Sequence, residues 1–164
     1  MTLSIAKLRL ALCAAALASI AACGRHSELD CMERAMYFES NRSSRDGMVA
    51  VGSVVMNRVQ SGQYPRSVCG VVGQRHQFAP GIMRKRMNLK TAPLIPSTAA
   101  SVLQGERHPL VGNAQFFHTA TYRPRYDNIH YVLTTGGNAF YERRPRENVT
   151  QSRPPAALEG ITGW

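Results

Sequence analysis

Apolar positions recur at helical spacing in only part of the chain. In residues 28–40, "ELDCMERAMYFES", Leu29, Met32, Ala35 and Met36 follow the period of one helix face, with Ser27 or Asp30 as cap. A polar stretch, "NRSSRDG" (residues 41–47), separates it from "MVAVGSVVMNRV" (residues 48–59), which is apolar nearly all round as far as Asn57. That pattern predicts a buried central helix, with Asp46 as cap and Gly62 as terminator. "YPRSVCGVVGQ" (residues 64–74) predicts a turn and a short helix capped by Ser67, and "STAASVLQG" (residues 97–105) another, capped by Ser97 and stopped by Gly105. Between them, residues 75–96 have little periodicity and several basic residues, as expected of a loop. From Gln115 the pattern changes to the aromatic-rich runs "AQFFHTATY" and "GGNAFYER", which suit short strands forming a small hairpin. The end of the chain, residues 144–164, is rich in Pro and Arg, lacks a core pattern and is expected to be a flexible tail. The fold class expected is therefore α+β, mainly helical, in a single domain over residues 30–143.

Placed on the first helix, Glu39 falls four residues after Ala35 and seven after Met32, so periodicity puts a carboxylate on the apolar face. Burial there disfavours the ionised form and raises the pKa, giving an acid that is protonated near neutrality. Such a group suits proton donation to a glycosidic oxygen. The alternative is a helix that ends near Phe38, with Glu39 pointing into water.

Composition bounds the partners. With 164 residues, 44% hydrophobic and 18% charged, the chain has the makeup of a globular domain. Its formal charge of +10 favours polyanions. The N-terminus narrows these. Lys7 and Arg9 precede the apolar run "LALCAAALASIAA" (residues 10–22), shorter than the roughly 20 residues of a membrane span, as in a secretory signal peptide. Ile20-Ala21-Ala22-Cys23 resembles a bacterial lipobox, which makes Cys23 the lipidated first residue of the mature protein and residues 23–29 a linker. Gly24 after it points to the outer membrane, so the expected location is the periplasm, lipid-anchored; the alternative is a soluble exported protein. Nucleic acid is excluded as a partner by export, and a cell-wall polymer or anionic lipid takes its place. Cys31 and Cys69 remain, either paired as one disulfide in an oxidising compartment or kept as two buried thiols.

Other chemistries find less support. The five histidines show no metal-ligand spacing, so no metal and no cofactor are expected. A nucleophilic pair of Cys69 and His118 is disfavoured, because Cys69 lies in an apolar segment with Cys31 as an alternative partner.

The block Glu39–Arg58, "ESNRSSRDGMVAVGSVVMNR", resembles the signature of SleB-type cell-wall hydrolases, relatives of the spore cortex-lytic enzymes. "YPRSVCGVV", "HQF", "FFHTATYRPRY" and "GGNAFYERR" are similar to the motifs that follow in that family, in the same order across residues 30–143. The resemblance implies a lysozyme-like fold that cleaves peptidoglycan between N-acetylmuramic acid and N-acetylglucosamine, without a cofactor. It implies a catalytic role for Glu39 and a glycan groove lined by Gln77, Phe78, His118 and Tyr122, with Asn57 also in contact with substrate. The sequence departs from the family where a second Glu is usual, here Ser43, and where Arg42 and Asn138 replace a usual Gly and a frequent His. Asp46 and Asp127 are the remaining candidates for a second carboxylate. With one carboxylate in the motif, a lytic transglycosylase is the leading expectation, ahead of a muramidase-type hydrolase and a non-catalytic peptidoglycan-binding lipoprotein.

Overall fold

The computed structural model describes residues 26–163, and the segment expected to be a signal peptide, with Cys23, lies outside the described residues. Among the described residues four α-helices precede a three-stranded sheet: α1 (Glu28–Glu39), α2 (Arg45–Gln60), α3 (Val68–Val72), α4 (Leu94–Leu103), then β1 (Phe116–Thr119), β2 (Ile129–Thr135) and β3 (Asn138–Arg143). Short 3-10 turns lie at Leu89–Thr91 and Arg146–Asn148. No helix of the described residues is long and apolar enough to cross a membrane.

α1 starts where the Ser27 side chain accepts from the Asp30 amide. It ends at Ser40, whose amide and hydroxyl both donate to the Met36 carbonyl. Its buried face, Cys31, Met32, Ala35 and Met36, packs on α2. α2 is the central helix: every residue from Asp46 to Val55 is buried. Gly52 is what lets its neighbours come so close, since a Cβ there would meet Met36 at 2.7 Å and Val102 of α4 at 3.1 Å. The Cys31–Cys69 disulfide joins α1 to α3, with Cα atoms 5.1 Å apart. The Glu28 carboxylate accepts from the Val68 amide at 2.7 Å, supporting the start of α3 alongside its Ser67 cap.

Several boundaries differ from the sequence pattern. α2 begins at Arg45, not Met48, and its cap is Ser44, which accepts from Gly47. Asp46 is thereby freed for another task. α4 begins at Leu94, three residues before Ser97, without a side-chain cap; Pro96 is tolerated because amides of the first turn have no intrahelical acceptor. The Ser97 hydroxyl instead donates to the Leu94 carbonyl.

The sheet is antiparallel in the order β1-β3-β2, so β3 is central and the "IHYVLTT" strand, unrecognised in the sequence, is one edge. The hairpin joins β2 to β3, and the two earlier candidate strands, β1 and β3, pair without a direct turn between them. Its turn is Gly136-Gly137, with φ of 57° and 79°, the two positive values that a tight hairpin turn needs. Gly136 also presses on α2: a Cβ at Gly47 would stand 2.7 Å from the Gly136 Cα. This backbone contact seats the start of β3 beside the end of α1.

The expected flexible tail is corrected. Gln151 accepts from the Tyr131 amide and Leu158 donates to Thr134, so the segment runs along the open edge of β2. Glu159 then bridges the Ser44 hydroxyl (2.5 Å) and the Gly136 amide (2.7 Å), and Asp46 accepts from the amides of Ile161 and Thr162 at 2.8 and 2.6 Å. The tail docks by satisfying polar backbone, which leaves no trace in a hydrophobic pattern.

Candidate active site

A cleft of about 460 Å³ opens where the end of α1 meets the first strand and the hairpin turn. Glu39 lies in its wall together with Arg58, Gln77, His118, Tyr122 and Asn138. Asn138, the first residue of β3, donates its side-chain amide to the Glu39 carbonyl at 2.7 Å and so ties the strand to the helix terminus.

The Glu39 carboxyl is half-buried. Its Oε1 accepts from the Ala79 amide at 2.5 Å, and no described residue donates to Oε2. Burial pushes its pKa up; the Ala79 amide and the positive charges of Lys85 and Arg58 pull the other way without cancelling the rise. The group is therefore biased toward the protonated acid, with donors at hand to hold the anion once the proton leaves.

Arg58 stacks beneath the cleft. Its guanidinium lies 5.1 Å from the Tyr64 ring centroid and 5.3 Å from that of Phe78, and its Nε donates to the Gln115 carbonyl at 2.7 Å. Its Nη1 is buried without a partner among the described residues. His118 is held at both ring nitrogens, Nδ1 by the Thr119 carbonyl and Nε2 by the Tyr131 hydroxyl, each at 2.8 Å. A carbonyl only accepts, so Nδ1 carries the proton, and in the neutral ring Nε2 accepts from Tyr131. His118 thus offers the cleft its ring, edge-to-face with the exposed Tyr122 at 5.5 Å, instead of a free nitrogen.

Of the residues expected to contact substrate, Gln77, His118 and Tyr122 share this cleft with Glu39. Two do not. Phe78 is 7% exposed and belongs to the core under Arg58 and against Phe117. Asn57 lies away from the cleft, its amide donating to the carbonyls of Gly112 and Ala114, both at 2.9 Å, so its role is to brace the segment before β1. Arg58, Phe117 and Asn138 were not singled out as site residues in the sequence. Arg58 was visible there as the close of the Glu39–Arg58 block, Phe117 as part of a family motif and Asn138 as a departure from the family's frequent His, but no local pattern placed any of them beside Glu39.

Neither candidate for a second carboxylate reaches the cleft. Asp46 is buried, which pushes its pKa up, but the Thr162 hydroxyl and the amides of Ile161 and Thr162 outweigh that and hold it below the ordinary value. Asp127 is exposed, 3.5 Å from Arg146. Ser43 is exposed and bonded to Asn41. Among the described residues Glu39 is the one carboxylate in the cleft wall, and no cluster of three or more His, Cys, Asp or Glu gathers as a metal site.

A model of the family described as Cell Wall Hydrolase matches residues 42–141, more than half of the chain. That range opens just beyond Glu39, whose place in the site rests on geometry. The chain is similar to the catalytic domain of the germination-specific lytic transglycosylase SleB from Bacillus anthracis, at 25% identity and a TM-score of 0.58, covering 73% of this chain and 98% of that one. It is similar in the same degree, 25% and 0.58, to the catalytic domain of the Bacillus cereus SleB protein, covering 70% and 89% of the two chains. No curated protein matches.

Proposed function

The chain belongs to the cell wall hydrolase family, and on that premise we propose that it is a peptidoglycan lytic enzyme acting as a lytic transglycosylase, with Glu39 as acid and base. The observation that carries this is the lone, half-buried Glu39 carboxyl in a cleft without a second acid among the described residues. A hydrolase of the two-carboxylate kind needs a partner acid to activate water or attack the sugar. One carboxyl suffices for transglycosylation. Protonated Glu39 donates to the glycosidic oxygen as the bond from C1 of N-acetylmuramic acid breaks. The resulting carboxylate, stabilised by the Ala79 amide and by Arg58 and Lys85, then accepts the proton of the muramoyl 6-hydroxyl. That oxygen closes on C1, giving a 1,6-anhydro product and returning Glu39 to its protonated form. No water is consumed. The exposed Tyr122 ring, propped by His118, supplies an apolar face for a sugar ring, and Gln77 an amide for its polar substituents.

The test is product identity. Purified sacculi incubated with the wild type are expected to release 1,6-anhydro-muropeptides, identified by mass spectrometry, and Glu39→Gln is expected to release none. Reducing ends in place of anhydro ends would mean hydrolysis, and no products from the wild type would remove the enzymatic reading. We further propose lipid anchoring through Cys23 in the periplasm, supported by the Ile20–Cys23 lipobox. Cys23→Ser is then expected to move the protein from the membrane to the soluble fraction, and an unchanged distribution would refute the anchor.

A further inference from the structure

The face that carries Glu39 continues past its cleft. β1 and β3 pair with Thr119 opposite Asn138 at one end and Phe116 opposite Tyr141 at the other. The Glu39 cleft lies at the first end. At the second, on the order of 10 Å along the strands, is another cleft of about 380 Å³, lined by Gln63, Asn113, Gln115, Phe116, Glu142 and Arg143. The two share a floor. Phe116 and His118, two apart on one face of β1, both pack on Tyr141, at 5.4 and 5.6 Å. Arg58, in the wall of the first cleft, has its guanidinium 5.8 Å from the Phe116 ring.

The second cleft has a different chemistry. Arg143 is exposed yet held between two rings, 4.8 Å over Phe116 and 5.6 Å from Tyr126. Among the described residues it makes no ion pair, whereas the adjacent Glu142 carboxylate is taken by Arg144 at 2.8 Å. A guanidinium fixed by stacking, with its planar fork of donors unclaimed by an acid, matches a carboxylate. The side-chain amides of Gln63, Asn113 and Gln115 around it suit a peptide backbone. We infer that this cleft binds the carboxylate-bearing stem peptide attached to the muramoyl residue, so that the enzyme selects peptide-substituted glycan. The inference rests on the peptidoglycan reading of the Glu39 cleft.

Binding, not turnover, tests it. In the Glu39→Gln protein, soluble glycan strands bearing stem peptides are expected to bind about tenfold more tightly, by calorimetry, than the same strands stripped by an amidase. Arg143→Met, which keeps the apolar stem over Phe116, is expected to abolish that difference and leave affinity for stripped strands unchanged. Arg143→Lys is expected to retain part of it. Equal affinity for the two substrates, equal weakening of both by Arg143→Met, or no binding of either would overturn the inference. A wild type that binds with this preference but releases no products would refute the enzymatic reading alone.

Discussion

Glu39 and Asp46 are two carboxylates within one stretch of chain, each at a helix end and each withdrawn from water, with opposite fates. Asp46, in the first turn of α2, receives two backbone amides and a hydroxyl from the C-terminal segment and is held as an anion below its ordinary pKa. Glu39, at the last turn of α1, receives one amide on one oxygen, and burial wins. The difference teaches that burial alone does not make a carboxyl an acid. What decides is how many donors the surrounding backbone turns toward it. The first carboxylate fastens the tail; the second keeps an oxygen for a substrate.

The comparison breaks or holds on measurable effects. The largest is catalytic. Glu39→Gln is expected to lower release of muropeptides from sacculi by about 10²–10⁴-fold, whereas Asp46→Asn is expected to stay within a few-fold of wild type at temperatures where circular dichroism shows it folded. A folded Asp46→Asn protein as inactive as Glu39→Gln would erase the distinction.

Next is stability. Asp46→Ala leaves the Ile161 and Thr162 amides without their acceptor, and a loss of about 2–3 kcal/mol is expected in urea unfolding. Truncation before Leu158 is expected to cost a similar amount, and the two together less than their sum, since they break one network. Additive losses would show that Asp46 does not hold the tail.

Smaller again is Gly47→Ala, whose new Cβ meets the Gly136 Cα at 2.7 Å, backbone against backbone. We expect a loss of about 1–3 kcal/mol, accompanied by reduced activity as the hairpin turn, and with it Asn138, moves from Glu39. Stability lost with activity intact would separate the hairpin's seating from the site.

The smallest effect is in pH dependence, where the two carboxyls act with opposite sign. Asp46 binds its proton less tightly folded than unfolded, so its contribution is complete above its ordinary value of 3.8 and is lost as pH falls through the lower folded value. Glu39 binds its proton more tightly folded, so stability falls as pH rises from 4.5 through its raised folded value. Denaturant titrations across pH 2–8 are therefore expected to show a shallower acid-side slope in Asp46→Asn, where Asp30 still contributes, and a shallower opposite slope in Glu39→Gln, where Glu33 still contributes.

Much of the helical half was legible because its signals are local. Ser27 and Ser67 cap where they stand, Gly62 follows the end of α2 with a positive φ, and the Met32–Met36 face is the face that packs. The edge strand β2 was not, since its buried positions run almost unbroken, without the alternation of a half-exposed strand, and a bulge at Tyr131–Leu133 shifts its register. Within the site, Glu39 is singled out by period and family motif together and lies in the cleft wall, while Asn57 and Phe78, expected in the groove from the motifs, lie outside it.

The sequence by itself determined the helices and two of their caps, Ser27 and Ser67, the helical period that sets Glu39 with the apolar positions, and the ordered motifs of the cell wall hydrolase family, because each depends on residues close together in the chain. Only the tertiary structure decided that Asp46 is engaged elsewhere, that the tail is docked, and that Glu39 stands as the one acid of its cleft among the described residues. Those outcomes depend on donors and backbones separated by as much as 116 positions along the chain, as between Asp46 and Thr162, and no local pattern records which of them will meet.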